Sequence, residues 1–502
     1  MPRVASTVFP FEIRLDRSSA VTLDRQIADA IRSAILSGEL LPGDHLPAIR
    51  TLAAQVGVAR ATLDAAYGIL VQEGWITATP GRGSFVSRVP PKSANFEKVP
   101  TIDHDPATMV PKNLNHEAHF CERSLSALLP QKNIPLAVVT TSDDMSPGRN
   151  FRAITARLAK RNTDFLMYTM PEGLLELREQ ICKVIGRLRG IKCTPDQIII
   201  TSGSQAGFAM CMRLLFNPGD KVWFEDPSYP LMRAVAHFNR IQEINVPVDE
   251  HGLVVDEGLR MAPDAKGCFI TPSHQCPLGM LMSMSRRRQL LQWAKDNGAW
   301  IIEDDYDSEL RYGGNLPFPS IQGMDTTGAN VIYIGTFSKM LFPGYRLGYV
   351  IVPKSLINIF RGYRLISDRQ GNELKQATVA EYMREGLYEG HVRRMRQGFE
   401  ERRNLLLKLC REELSEWGEI MSGDQGMHVV FKFANQSIDD LQVQNACLQE
   451  GIEARAISFF YTEQPPIKGL MLGFGFFKSD QIVAAVRRIG FVLRSKFARY
   501  QV

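Results

Sequence analysis

IGTFSKMLFPGYR, residues 334–346, is the stretch of this 502-residue chain that decides its fold. The apolar run that leads into it, residues 331–334, predicts a buried strand. Lys339 lies just past this strand, where a desolvated, cation-rich pocket favours the neutral, nucleophilic amine. Such a lysine is suited to a Schiff base with pyridoxal 5'-phosphate (PLP), with Ser338 and Arg346 as phosphate ligands. On this segment alone, a solvated lysine at the mouth of a loop stays an open alternative.

The segment AWIIEDDYDSE, residues 299–309, is a second apolar run that ends abruptly in acids and a tyrosine. In parallel α/β sheets, ligands bind at the carboxyl ends of the strands, which is where these acids fall. PLP needs a carboxylate beside its pyridine nitrogen so that the ring stays protonated. One of the aspartates would supply it, and Tyr306 would hydrogen-bond the 3'-oxygen of the ring. The alternative is a solvated acidic loop.

A third segment predicts a seat for the phosphate. The run IIIT, residues 198–201, is followed by SGSQAG, residues 202–207, which opens a helix. Small residues let backbone N–H groups approach a phosphate, and the positive end of the helix dipole favours its charge. The order of the three segments along the chain makes coincidence a poor explanation.

Residues from about 165 to 502 resemble a fold-type-I, PLP-dependent aminotransferase. The resemblance is carried by segments in the family's order, namely YTMPEG (168–173), TSGSQ (201–205), EDPSYP (225–230), TPSHQCPLG (271–279), EDDYDSELRY (303–312) and GTFSKMLFPGYRLGY (335–349). It implies an α/β fold, with a mostly parallel sheet between helices and a smaller α+β C-terminal subdomain at about 370–502. The chain departs from the family at Thr169–Met170 and at Cys276, where an asparagine or an aromatic residue usually precedes Pro-x-Gly.

The same resemblance implies a role for each site residue. Lys339 would form the internal aldimine, Asp304 would bind the pyridine nitrogen, and Tyr306 would bind the 3'-oxygen. Tyr229 would lie beside the ring, and Arg455 falls roughly where the family binds a substrate carboxylate, although a surface arginine is an equal alternative. The residues implied to hold the phosphate are Gly203, Ser204, Gln205, Ser338, Arg346 and, from a neighbouring subunit, Tyr168. No metal ligand is expected.

The amino-terminal part of the chain has a different pattern. Apolar residues at helical spacing predict a first helix that ends at Gly38. Pro47 opens a short second helix that Gly57 ends, and a third helix starts near Ala59 and runs to Gly74. Two short apolar runs around Pro-Gly-Arg-Gly then predict a hairpin. Three helices and a hairpin make a winged helix-turn-helix, whose third helix binds the DNA major groove.

Charge does not support DNA binding by itself. Residues 1–87 contain 8 arginines, no lysine and 8 acids, whereas DNA-binding domains are usually basic. A small helical interaction module is therefore the alternative. The sequence of residues 23–86, however, is strongly similar to the GntR-type DNA-binding domain.

The GntR resemblance implies which residues contact DNA. Matched to that pattern, Arg50, Arg60 and Thr62 contact the major groove and phosphates, and the wing tip Gly81–Arg82–Gly83 enters the minor groove. Ala59 stands where the family usually has a serine or threonine that caps the recognition helix. Because that cap is worth about 1 kcal/mol, we expect a locally weaker helix start.

Composition adds limits on the rest of the chain. No run approaches the roughly 20 apolar residues of a membrane span, and the amino terminus lacks an apolar signal core, so we expect a cytoplasmic protein. The eight cysteines include no C-x-x-C pair, which argues against zinc and disulfide frameworks. We expect a DNA-binding domain at 1–87, a proline-bearing linker at 88–125 and an aminotransferase-like domain at 126–502.

This layout resembles the MocR/GabR group of bacterial transcription regulators. The resemblance implies a domain-swapped homodimer on double-stranded operator DNA, and an amine or amino-acid effector, or PLP itself, sensed by aldimine exchange at Lys339. An active aminotransferase with an autoregulatory DNA-binding domain is the main alternative. A DNA-binding protein with a catalytically dead domain is disfavoured, because Lys339 and Asp304 are both present.

Overall fold

The computed structural model contains two compact units, residues 1–113 and 114–502. The residues that it describes are 13, 15–79, 83–87, 117–121, 124, 134–138, 147–161, 167–313, 318–462, 467–475 and 477–500. Most of the predicted linker, 88–125, lies outside the described residues. Within it, residues 117–121 and 124 are helical and belong to the second unit.

The first unit contains three helices and a hairpin. Its elements are α1 (Leu23–Leu36), α2 (Ile49–Val56), α3 (Arg60–Gln72), β1 (Ile76–Thr79) and β2 (Gly83–Val86). The two strands pair antiparallel, with Ile76 opposite Val86. Both residues pack in one apolar core with Ile31, Leu63 and Leu70 from the helices. The predicted winged helix-turn-helix is confirmed, and each helix starts and ends within two residues of the prediction.

The second unit is built around an eight-stranded sheet. Its strands are β3 (Ile198–Thr201), β4 (Lys221–Asp226), β5 (Gln242–Asp249), β6 (Gly252–Leu253), β7 (Gly267–Ile270), β8 (Trp300–Asp305), β9 (Val331–Thr336) and β10 (Gly348–Ile351). They lie in the order β3-β10-β9-β8-β7-β4-β5-β6. The neighbours from β9 to β5 are parallel, whereas β10 is antiparallel to both β3 and β9. Strands β3, β4, β7, β8 and β9 therefore end at the same edge of the sheet.

Helices cover both faces of this sheet. They are α4 (Gly148–Arg161), α5 (Leu175–Arg189), α6 (Ser204–Leu215), α7 (Pro230–Phe238), α8 (Val255–Met261), α9 (Met284–Asn297), α10 (Ile321–Met324), α11 (Ile357–Ser367) and α12 (Glu373–Arg384). Alternate strand residues enter different cores, because successive side chains point to opposite faces. Ile334 and Val350 pack with α6 and α7, whereas Tyr333 and Tyr349 pack with α5 and α12.

A smaller α+β region follows. It consists of α13 (Leu387–Glu413), β11 (Gly418–Ser422), β12 (His428–Phe433), α14 (Asp440–Gln449), β13 (Arg455–Ala456), β14 (Gly469–Gly473) and α15 (Ser479–Lys496). The four strands form an antiparallel sheet in the order β11-β12-β14-β13. The expected fold class, a mostly parallel sheet with a smaller C-terminal α+β part, is confirmed.

Candidate functional site

The end of β8 distinguishes its two aspartates. Asp305 accepts a hydrogen bond from the Tyr333 hydroxyl (2.6 Å) and pairs with the Arg189 guanidinium at 2.7 Å. Asp304 is also buried, yet its side chain makes no hydrogen bond or ion pair among the described residues, whereas only Oδ1 of Asp305 lacks a partner. A buried carboxylate oxygen without a donor is costly. Asp304 is thus the aspartate that fits a protonated ring nitrogen.

Asp304 and Lys339 belong to one cluster of buried charges. Burial raises the pKa of Asp304 well above its ordinary value, Asp305 and Asp307 add to the rise, and Lys339 opposes it. Burial also lowers the pKa of Lys339, and Asp307 has the largest opposing effect. A lowered pKa leaves more of the lysine as the neutral amine that attacks an aldehyde.

Tyr229 lies in the same pocket, directly before α7. Burial raises the pKa of its hydroxyl to about 12, with Cys276 and Asp304 adding to the rise and Arg346 and Arg455 opposing it. Because such effects weaken with distance, these four side chains are near enough to the Tyr229 hydroxyl to change its pKa.

The loop between β3 and α6 is shaped around Arg346. Gly203 has a φ of +94°, and a Cβ at this position would lie 2.7 Å from the Arg346 guanidinium. The guanidinium donates a hydrogen bond to the Ser202 carbonyl at 3.1 Å. Any other residue at 203 would push the arginine away from the loop. Glycine here thus lets a cation and the start of a helix face the same space, as an anion requires.

The remaining predicted phosphate ligands lie at the ends of the neighbouring elements. Ser204 and Gln205 are the first two residues of α6, and Gln205 donates its amide to the Leu231 carbonyl at 3.1 Å. Ser338 follows β9, and its backbone N–H donates to the Thr336 hydroxyl at 3.1 Å. Both serines are half-buried. The Gln205 amide is committed to Leu231, whereas the Ser338 hydroxyl accepts from the Thr336 hydroxyl at 3.0 Å and keeps its own hydrogen for an anion.

Tyr306 is held by a cluster that the sequence did not predict. Its hydroxyl donates to the His274 carbonyl (2.9 Å) and lies 3.1 Å from His274 Nδ1. That nitrogen is also 2.9 Å from Asp307. The rings of His274 and His428 have centroids 4.8 Å apart, and His428 Nε2 donates to the Pro277 carbonyl at 2.8 Å. His274 belongs to the TPSHQCP segment, and Tyr306 and Asp307 belong to the EDDYD segment. No spacing rule predicts a contact between residues this far apart in sequence.

A buried glutamate completes the pocket wall. Glu225, at the end of β4, accepts hydrogen bonds from the Thr271 N–H (3.1 Å) and hydroxyl (2.6 Å). Burial raises the pKa of Glu225 to about 7, although both hydrogen bonds oppose the rise. Glu225 opens the EDPSYP segment, and the sequence pattern alone predicts no role for it.

Arg455 lies at the start of β13, next to a buried acid. Its Nε is 3.6 Å from Glu453 Oε1, and its guanidinium lies 5.1 Å from the centre of the Phe459 ring. Burial raises the pKa of Glu453 to about 7. Since the contact is long and the acid is easily protonated, Glu453 holds this arginine weakly.

Tyr168 lies on the surface. It is 77% exposed, and the Arg369 guanidinium lies 3.9 Å from the centre of its ring. The nearby backbone N–H of Thr169 donates to Gln370 at 2.8 Å. Within one copy of the chain, the tyrosine thus faces outward, as a residue that contacts a neighbouring subunit would.

The predicted DNA contacts lie on the first unit. Arg50 in α2 and Arg60, the first residue of α3, are exposed, and Thr62 in the first turn of α3 is half-buried. Ala59 takes the extended N-cap conformation without a side-chain cap bond. Of the wing tip, Gly83 begins β2, whereas Gly81 and Arg82 lie outside the described residues.

Membrane-spanning helices and metal-binding clusters are both absent from the part of the chain that the structure describes. No helix there has the length and apolar character needed to cross a lipid bilayer. Nor do three or more His, Cys, Asp or Glu side chains converge there in a way that would hold a metal ion.

Both halves of the chain match known families. Residues 137–468 match the model of aminotransferases of class I and II, and residues 23–86 match that of bacterial regulatory proteins of the gntR family. The chain is 32% identical over 475 residues to the "Probable rhizopine catabolism regulatory protein MocR" of Rhizobium meliloti, covering 92% of this chain and 91% of that protein. It is 29% identical over 471 residues to the "HTH-type pyridoxine biosynthesis transcriptional regulator PdxR" of Corynebacterium glutamicum, covering 94% and 96%.

A solved structure resembles the second unit. The kynurenine aminotransferase of Pyrococcus horikoshii, crystallised in complex with PMP, is 27% identical with a TM-score of 0.69. The likeness covers 77% of this chain and 98% of that one.

Proposed function

This chain belongs to the MocR-type DNA-binding regulators, in which a GntR-type domain is joined to an aminotransferase-like domain, and we propose that it senses an amine, an amino acid or PLP itself at Lys339. PLP is the cofactor of the second unit. When bound, PLP supplies an aldehyde that condenses with amines and a ring that withdraws electrons. The buried, unpartnered Asp304 Oδ1 in the pocket of Lys339 carries the proposal.

Each residue of the pocket has a distinct part in this proposal. Lys339 holds the cofactor through its amine, Asp304 binds the pyridine nitrogen, Tyr306 donates to the 3'-oxygen, and Tyr229 lies beside the ring. The phosphate is held by Gly203, Ser204, Gln205, Ser338, Arg346 and, from a second copy of the chain, Tyr168. Arg346 supplies the positive charge, and the start of α6 supplies backbone N–H groups.

An amine effector competes with Lys339 for the aldehyde, and an effector carboxylate pairs with Arg455. The arginine is suited to this because its contact with Glu453 is 3.6 Å long and burial raises the pKa of that acid to about 7. A carboxylate that stays ionised outcompetes one that is partly protonated. A relative named as a pyridoxine biosynthesis regulator supports PLP as an alternative effector.

The DNA-bound form is a domain-swapped homodimer. Its support is three exposed apolar side chains, Met170, Leu365 and Ile366, with exposed fractions of 64%, 52% and 80%, each within four residues in sequence of Tyr168 or of Arg369, which contacts the Tyr168 ring. Such patches on one copy of a chain mark interfaces. A dimer presents two winged helices to a two-part operator. As a DNA-binding regulator, the protein acts in the bacterial cytoplasm, at the nucleoid when bound to DNA.

Transamination is the second candidate, and the presence of Lys339, Asp304 and Arg455 in one pocket favours it. Conversion of an amino donor to its keto acid over many turnovers would establish the enzyme. Effector-sensitive binding to a specific DNA sequence without turnover would establish the regulator.

The test uses the PLP-loaded protein and DNA that it selects from a random duplex pool. The wild-type protein should be yellow, and borohydride should abolish its visible band. Lys339→Ala should retain some PLP without a covalent bond and lose the response of DNA binding to amines. The exposed Lys354 provides a matched control, since Lys354→Ala should behave as wild type. A wild-type protein that stays colourless in excess PLP contradicts the proposal.

A further inference from the structure

His274 and Asp307 form a buried pair within the pocket of Lys339. The side chains of His274 and Asp307 are 3% and 2% exposed, and Nδ1 and Oδ2 are 2.9 Å apart. An ionised carboxylate can only accept hydrogen bonds, so Nδ1 carries the hydrogen and donates it to Asp307. The Tyr306 oxygen, 3.1 Å from the same nitrogen, is a second acceptor.

Tyr306 is therefore bound twice by one residue. Its hydroxyl donates to the His274 carbonyl at 2.9 Å, while its oxygen faces the imidazole N–H. A hydroxyl that accepts a hydrogen bond is polarised and becomes a stronger donor. If the Tyr306 O–H rotated away from the His274 carbonyl, its oxygen would keep the contact with His274 Nδ1, and its hydrogen would be available to another acceptor.

The surroundings of His274 keep its ring in place. A Cβ at Gly426, which has a φ of +74°, would collide with that ring, so the backbone there leaves room for it. The His428 ring packs against it, tilted by 31° with the centroids 4.8 Å apart. Its Nε2 donates to Pro277, and burial, helped by His274, lowers the pKa of His428 to about 3. His428 is therefore uncharged at neutral pH, and Asp307 is the acid that pairs with His274.

The other groups around Tyr306 and Lys339 are poor donors. Besides His274, whose Nδ1 faces Asp307, and His428, whose Nε2 donates to Pro277, the titratable side chains with the largest effects on the pKa of Tyr306 or Lys339 are Asp304, Asp307, Glu225 and Cys276. Carboxylates accept hydrogen bonds, and a thiol donates only weakly. Among these described side chains, the Tyr306 hydroxyl is the strongest donor for an oxygen placed in the pocket.

We propose that His274, held by Asp307, is a positioning residue that aims Tyr306 and strengthens it as a donor to the 3'-oxygen of the cofactor. This inference rests on the proposed function, in which PLP is bound at Lys339. It gives the histidine of the TPSHQCP segment a role that reaches the cofactor through Tyr306.

The test is a pH titration of the visible absorbance band of the PLP-loaded protein. A hydrogen-bond donor to the 3'-oxygen of the cofactor stabilises the deprotonated, high-pH form of the PLP-loaded protein, in which that oxygen is negatively charged. The donor therefore lowers the apparent pKa of the visible band. Tyr306→Phe should therefore raise the apparent pKa by about one unit, the size of one hydrogen bond to a charged group. His274→Leu should raise it in the same direction. Because His274 acts only through the Tyr306 hydroxyl, the double variant should shift it no further than Tyr306→Phe does.

Two further variants control for a general loss of structure. His251 is exposed, so His251→Leu is a matched control that should titrate as wild type. His274→Phe keeps a ring in the space at Gly426 but removes Nδ1 and should give the same rise as His274→Leu, which decides the question if His274→Leu does not fold.

The possible failures are distinguishable. A wild-type protein without a visible band contradicts the proposed function. A normal wild-type band together with unshifted His274→Leu and His274→Phe, or with shifts that add in full to that of Tyr306→Phe, overturns the role of His274 alone.

Discussion

Asp304→Asn should stabilise the protein without PLP and weaken its affinity for PLP. In the cofactor-free state Asp304 is 6% exposed and, within the described part of the chain, its Oδ1 has no partner. The raised pKa of this carboxyl group costs stability at neutral pH, and an asparagine has neither the charge nor the titrating proton. We therefore expect a gain in the free energy of unfolding of about 1–3 kcal/mol at neutral pH. A hydrogen bond from a protonated ring nitrogen is worth about 1.5–3 kcal/mol, so PLP affinity should fall about 10- to 150-fold.

The gain in stability should depend on pH. Burial raises the pKa of Asp304 above its ordinary value of 3.8. As the pH rises above 3.8, the unfolded chain releases a proton that the folded chain retains, so the stability of the wild-type protein falls until the raised pKa is passed. Asp304→Asn has no such proton. Its advantage over the wild type should therefore be absent at low pH and grow toward neutral pH.

The assay combines urea unfolding without PLP at several pH values with a PLP titration followed by absorbance. Asp305→Asn is the matched control, because it removes the charge that pairs with Arg189. It should lower the free energy of unfolding by about 3–5 kcal/mol. If Asp304→Asn destabilises the cofactor-free protein at neutral pH and leaves PLP affinity unchanged, the assignment of Asp304 is wrong.

Three further predictions concern the first unit and the surface of the second. Arg60→Ala should lower operator affinity by about 1–3 kcal/mol in a gel-shift assay if Arg60 contacts a base; a loss shared by all sequences, with a smaller salt slope, would indicate a phosphate contact instead. Ala59→Ser should raise the unfolding free energy of the first unit by about 1 kcal/mol in thermal denaturation, since it supplies the missing helix cap; no gain would mean that the N-cap is not limiting. Ile366→Glu should shift sedimentation toward the monomer, whereas an unchanged dimer would place the interface elsewhere.

The local parts of the fold were predictable from the sequence. Gly38, Gly57 and Pro47 mark helix boundaries through backbone chemistry alone, and the first unit accordingly follows the prediction to within two residues. The strands before Asp304 and Lys339 were readable as apolar runs. That β10 separates β3 from β9 was not readable, because strand order depends on contacts between distant parts of the chain.

The site residues also divide into those that the sequence predicts and those that only the structure brings together. The pocket residues end strands of one sheet edge, so their proximity followed from a general rule. The residue pattern alone left Asp304 and Asp305 as alternatives, and only the family resemblance chose Asp304, because Arg189, which pairs with Asp305, is far away in sequence. The pairing of His274 with Asp307 and the contact of the His428 ring with the His274 ring likewise join segments that no local pattern connects.

The central claim is that the Lys339 pocket and the winged helix share one conformational equilibrium. A ligand shifts such an equilibrium only by its different affinities for the two states, and the coupling is reciprocal. The direct measurement is an absorbance titration of the PLP-loaded protein with an amine effector, with and without operator DNA. Operator should change the effector affinity by the same factor by which effector changes DNA affinity, typically about 5- to 150-fold. Equal effector affinities in the two titrations, despite an effector-dependent change in transcription, would contradict the claim.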